Sequence, residues 1–73
     1  MLRLIPDVCL LDECLLAAGM TRSQLARKTN LDRRYLSRVA NGDITVMSLP
    51  IAVLIADAIG CSPRDLYVWE ISR

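Results

Sequence analysis

Residues 21 to 42 read Thr21-Arg22-Ser23-Gln24-Leu25-Ala26-Arg27-Lys28-Thr29-Asn30-Leu31-Asp32-Arg33-Arg34-Tyr35-Leu36-Ser37-Arg38-Val39-Ala40-Asn41-Gly42, and the fold turns on this stretch. Thr21 with Gln24 three residues later is a capping box, a signature that opens a helix by satisfying its free N–H groups. Leu25 and Ala26 then point inward, Arg27 and Lys28 outward into solvent, and the helix ends near Thr29. Asn30 tolerates the left-handed backbone of a tight turn, and Leu31 is placed to plug the corner behind it. Asp32 caps a second helix, Arg33 to Ala40, whose Leu36 and Val39 share one face. Asn41-Gly42 stops it.

Outward from this core the same signals recur. After Pro6, Val8 to Ala18 is apolar with Asp12 and Glu13 on an exposed side, and Gly19 ends what we expect to be helix one. Beyond the loop Asp43 to Met47, Ser48 is placed to cap a fourth helix with Pro50 in its first turn, closed by Gly60. A fifth, short helix starts at Ser62, with Pro63 at the first position and Asp65 in the acidic corner of a capping box. The ends differ in kind. Leu2-Arg3-Leu4-Ile5 and Tyr67-Val68-Trp69-Glu70-Ile71 are β-prone and partly alternating, which predicts a small two-stranded ribbon, with a frayed tail at each end as the alternative. The fold class expected is all-α.

With 73 residues the chain has room for one domain, residues 1–73, and one core. It is 53% hydrophobic, yet its aromatic residues are only Trp69, Tyr35 and Tyr67, so that core must be aliphatic. Cys9, Cys14 and Cys61 are odd in number and no leader segment precedes them, which speaks against a disulfide framework and for a reducing cytosol. On one helix Cys9 and Cys14 would stand about 140° apart. They could not share a metal, and no histidine is present to help, so all three are expected as small buried apolar residues. Ile44 to Ala56, interrupted by Ser48 and Pro50, is too short for a membrane span. With no histidine, glycine-rich phosphate loop or evident carboxylate pair, an enzyme is the least supported class. No catalytic residue, cofactor, metal or small-molecule ligand is expected.

The net charge of +1 conceals a polarised molecule. Between Thr21 and Gly42, Arg22, Arg27, Lys28, Arg33, Arg34 and Arg38 face Asp32 alone, a net of +5. The remaining Arg3, Arg64 and Arg73 face seven carboxylates, a net of −4. A concentrated basic segment of this kind points to a polyanionic partner. Two helices joined by a short turn supply the matching geometry, one braced against the DNA backbone while the other enters the major groove.

The residues Gly19-Met20-Thr21, Leu25-Ala26, Leu36-Ser37-Arg38-Val39, Asn41-Gly42 and Ala56-Asp57-Ala58-Ile59-Gly60-Cys61-Ser62 together resemble the Cro/C1-type (XRE-like) helix-turn-helix regulators of bacteria and phages. The resemblance runs from helix one to Leu66. It implies a five-helix lambda-repressor-like domain that binds double-stranded DNA sequence-specifically as a small transcriptional regulator, favouring a repressor, in the cytoplasm of a bacterial or phage-infected cell. Carried over by position, Arg33, Arg34, Ser37 and Arg38 would face base edges. A guanidinium matches the paired acceptors of guanine, which implies at least one G·C pair per half-site. Thr21, Arg22, Tyr35 and Asn41 would hold phosphate.

Two departures stand out. Relatives often join an arginine of helix one to a glutamate before the Asn-Gly, but here those positions are Leu15 and Ala40, consistent with an ion pair replaced by apolar packing. On helix four, polar positions of relatives are filled by Ile51 and Leu54. With Ala58 they form a stripe expected outside the core that, together with Trp69, offers a surface to a second copy or another protein. The competing reading is a protein-interaction module on the same frame, against which the placement of Arg22, Arg33, Arg34 and Arg38 argues.

Overall fold

The computed structural model describes residues 3–44 and 46–72. Among them are four α-helices, a 3₁₀ turn and a two-stranded antiparallel ribbon, in the order β1 (Arg3–Cys9), α1 (Leu11–Ala18), α2 (Arg22–Thr29), α3 (Arg33–Ala40), α4 (Leu49–Ile59), the 3₁₀ turn (Pro63–Leu66) and β2 (Tyr67–Ser72). All-α is therefore too narrow a description, and the expected fifth helix is a single 3₁₀ turn. Its start agrees with the sequence, since Ser62 and Asp65 form the reciprocal capping box. The chain then leaves directly into β2, with Tyr67 already extended at φ −137°.

The ribbon is longer than expected, and helix one correspondingly shorter. Val8 pairs with Val68 and Cys9 with Tyr67, so these residues belong to β1 rather than to a helix starting at Val8. The Leu10 N–H donates to the Leu66 carbonyl at 2.7 Å, and α1 begins only at Leu11 without a side-chain cap. Pro6 lies inside the strand opposite Trp69, and the pairing skips Asp7. A proline has no N–H to give a ladder, and a bulge is where a strand accommodates one. Leu2 of the expected ribbon lies outside the described residues.

Local chemistry sets the other joints largely as expected. Thr21 and Gln24 form both halves of their capping box. Asn30 takes the left-handed conformation at φ 59°, and the Asp32 side chain accepts from the Arg34 N–H at 2.8 Å. Ser48 stands at the N-cap of α4, but its side chain makes no capping bond.

The core is aliphatic. Leu11 and Leu15 of α1, Leu25 of α2, Leu36 and Val39 of α3, Ile55 and Ala56 of α4, and Leu66 are buried together with Met47 and Tyr67. Leu31 and Ala26 pack against this cluster from the turn and from α2. Thr29, a buried polar residue, returns its hydroxyl to the Leu25 carbonyl at 2.8 Å. The Tyr67 hydroxyl accepts from the Met47 N–H at 3.2 Å, tying the segment before α4 to the ribbon.

Two expectations about side chains need correction. The cysteines are free and half-buried rather than buried, and Cys9 ends a strand, so it never shares a helix with Cys14. On α4 the expected outer stripe is partly inside: Ile51 and Ala58 are half-buried against the core, because they flank rather than face away from Ile55 and Ala56. Leu54 is exposed, and its exposed apolar companions on α4 are Leu49 and Val53. Trp69 is half-buried, with its ring 5.8 Å edge-on from Tyr67 and its Nε1 donating to the Arg64 carbonyl at 2.8 Å.

Candidate nucleic-acid interface

At 100° per residue, Arg33, Arg34, Ser37 and Arg38 span one side of α3, while Leu36 and Val39 point the other way. The burial pattern agrees. Leu36 and Val39 are fully buried, whereas Arg33, Arg34 and Arg38 are exposed and Ser37 is half-buried. The helix is thus held by its apolar side and presents guanidinium groups on the other.

Arg33 and Arg34 stand in the first turn, where two cations would oppose the helix dipole if nothing else acted, whereas Arg38 is in the last turn, where the dipole favours it. Asp32 at the N-cap supplies a compensating charge and satisfies the Arg34 N–H. Arg33 is further steadied by α2, since its guanidinium donates to the Ser23 hydroxyl at 3.1 Å. Tyr35 is half-buried against the core, and Asn41 is exposed at the end of the helix.

Arg22, in the first turn of α2, has a partner that sequence reasoning missed. Its Nε donates to Asp12 Oδ1 at 2.9 Å and its terminal nitrogen to Oδ2 at 2.5 Å, a two-pronged grip on a carboxylate of α1. Its remaining nitrogen donates to the Ser37 hydroxyl at 3.3 Å. One guanidinium of α2 therefore links its own helix to both α1 and α3. The hydrogen bond from Arg22 holds Asp12 below its ordinary value, and the same bond holds Arg22 above its own. Asp12 was legible only as an exposed acid, because nothing in a spacing of ten residues says that α1 and α2 cross there.

This tie also bears on the missing family ion pair. Leu15 is buried and Ala40 packs against the core, so those two positions are apolar as expected. An ionic link between helix one and the motif nevertheless exists, displaced to Asp12 and Arg22. Lys28 was expected to be merely solvated. Instead its ammonium donates to the Ala58 carbonyl at 2.8 Å, placing a cation on the C-terminal turn of α4, where the helix dipole favours one.

No group of three or more potential ligands able to hold a metal is present among the described residues. No helix there is long and apolar enough to cross a membrane.

The family model described as "Helix-turn-helix" matches residues 11–66, that is, from the start of α1 to the end of the 3₁₀ turn. The chain belongs to the Cro/C1-type helix-turn-helix family. Membership makes it a DNA-binding transcription regulator, with α2 and α3 as the two helices of the motif. It is 30% identical over 63 residues to an SPbeta prophage-derived HTH-type transcriptional regulator, YotL, of Bacillus subtilis (strain 168), covering 86% of this chain and 79% of that one. Among solved structures it is similar to the restriction-modification controller protein C.AhdI from Aeromonas hydrophila. The two superpose with a TM-score of 0.70 at 33% identity, over 78% of this chain and 85% of the other. The matched family region excludes β1 and β2, so the ribbon is an addition to the helix-turn-helix unit.

Proposed function

We propose that this helix-turn-helix protein represses transcription by laying α3 in the major groove of a specific operator, acting as a single domain in the cytoplasm of a bacterial or phage-infected cell. Arg33, Arg34, Ser37 and Arg38 read base edges, with guanines the preferred partners of the arginines. Thr21, Arg22, Tyr35 and Asn41 hold the phosphates on either side. The observation that carries this reading is the exposed face of α3, where three guanidinium groups stand over buried Leu36 and Val39.

Recognition by two copies on a two-fold operator fits the exposed apolar side of α4. There Leu49 is 74% and Leu54 41% exposed, Ile51 and Ala58 of the same helix are half-buried, and the half-buried Trp69 lines a pocket with Leu49. An exposed apolar patch on a small domain supports a contact with a second copy, and a dimer reads a palindrome half by half.

The test is fluorescence anisotropy with mixed duplex DNA across a salt series, comparing the native chain with an Arg33→Ala, Arg34→Ala variant. Affinity should fall linearly in log salt for both, with the variant weaker and its slope shallower. Failure to bind any duplex at low salt would refute the assignment and direct attention to a protein partner.

A further inference from the structure

Cys14 and Cys61 lie forty-seven positions apart in the chain and meet in the fold. Both line one open pocket of about 290 Å³, together with Ala17, Ile59, Gly60 and Asp65, between the middle of α1 and the turn that follows α4. The Cys14 thiol donates to the Asp65 carbonyl at 3.4 Å. Cys61 acts on it directly as well. Burial first, then the charge and hydrogen bonding of Cys61, push Cys14 up to about 11.

Neither residue is on a loose segment. Cys14 is in the second turn of α1, its N–H bonded to the Leu10 carbonyl at 3.0 Å. The N–H groups of Gly60 and Cys61 both donate to the Ala56 carbonyl, at 2.8 and 3.0 Å, and the capping box of Ser62 and Asp65 fixes the chain immediately beyond. Gly60 makes this turn possible, for its φ of 91° is a conformation that side chains resist. Two anchored thiols that line one half-exposed, solvent-reaching pocket, with Cys61 within hydrogen-bonding reach of Cys14, are open to an oxidant and placed to react with each other. Cys9 ends β1 and does not line this pocket.

We infer that Cys14 and Cys61 are a redox-active pair that peroxide converts to a disulfide, stapling α1 to the turn between α4 and the 3₁₀ turn. The Cys61 thiolate attacks hydrogen peroxide and breaks its O–O bond, leaving Cys61 as a sulfenic acid and releasing water after protonation. The Cys14 sulfur then attacks the Cys61 sulfur, the S–O bond breaks, and the leaving hydroxide takes the Cys14 proton as a second water. Two thiols lose two electrons and one peroxide gains them. The order follows from the environment of Cys14, whose burial raises it and makes it the poorer first nucleophile, leaving it the resolving role.

The experiment treats the full chain with one equivalent of hydrogen peroxide, then measures intact mass and maps peptides without reductant. The expected product is a monomer lighter by two hydrogens, with Cys14 linked to Cys61. A Cys9→Ser variant gives the same product. Closing so long a loop should raise Tm by on the order of 10 °C or more over the reduced protein, and dithiothreitol should reverse the rise. In a Cys14→Ser variant, dimedone should capture the sulfenic acid on Cys61. A native chain that links through Cys9, links between molecules, or gains oxygen without a link at Cys14 and Cys61 overturns the inference, and this readout depends on no variant folding.

Discussion

The grip of Arg22 on Asp12 can be measured directly with a double-mutant cycle of Asp12→Ala, Arg22→Ala and the double variant. Two parallel contacts at 2.9 and 2.5 Å give the pair the better geometry for an ion pair. The side chains are 51% and 31% exposed, so solvent screens most of the attraction. An exposed pair of good geometry couples by about 0.5–1 kcal/mol, and we expect the cycle to return that value. For a domain of this size, 1 kcal/mol is about 4–8 °C in Tm. In urea, with a slope of about 1 kcal/mol per molar, the coupling is a displacement of roughly 0.5–1 M in midpoint, readable through Trp69 fluorescence. The pH dependence has a definite sign. Arg22 lowers Asp12 from its ordinary 3.8, so the contribution is complete above 3.8 and is lost as pH falls through the lower, folded value. Asp12→Ala should abolish that loss. A cycle that is additive to within about 0.2 kcal/mol at neutral pH and low salt would refute the claim that this contact ties α1 to the motif.

Four further outcomes are expected. Tyr67→Phe strands the buried Met47 N–H and should destabilise by about 1–3 kcal/mol in chemical denaturation, without altering salt-dependent DNA binding. Gly60→Ala should cost about 1–2 kcal/mol although nothing lies within 4 Å of the added carbon, because the whole effect is backbone strain at φ 91°. Thr21→Ala removes the acceptor of the Gln24 N–H and should lower stability by about 1 kcal/mol, visible as a reduced Tm by circular dichroism. Leu54→Lys should leave helicity intact while shifting sedimentation equilibrium toward the monomer if α4 joins two copies, and an unchanged association state would remove α4 from that role.

The motif was readable because its signals are local. Thr21 with Gln24, Asn30, and Asp32 each act within a few residues of themselves, and each behaves in the fold as its chemistry demands. The exposed face of α3 was readable for the same reason, since Leu36 and Val39 fix by helical period which side Arg33, Arg34 and Arg38 present. What escaped depends on contacts between distant segments. Val8 and Cys9 look like the start of a helix until β2 arrives to pair with them, and pairing then overrides the local pattern. The links from Asp12 to Arg22 and from Lys28 to Ala58 depend on how helices cross, which periodicity does not encode. The inward lean of Ile51 and Ala58 does not follow from their spacing, because spacing alone does not say which side of α4 the core occupies.

The ribbon has a consequence for the order in which the protein assembles. Its partners are remote in sequence, Cys9 meeting Tyr67 and Arg3 meeting Ser72, whereas α2 and α3 are neighbours along the chain. Loop-closure entropy penalises the remote pairing until the helices have shortened the path between the two strands, so the helical cluster should form first and the ribbon zip up on it afterwards. The same reasoning makes the ribbon the first element to open. In native-state amide exchange the outer β1 and β2 amides should lose protection well below the global unfolding energy, while those of Leu25 and Leu36 exchange only with the whole molecule. The groups proposed to meet DNA would then sit on the earliest and most durable part of the chain, insulated from the breathing of its last-formed seam.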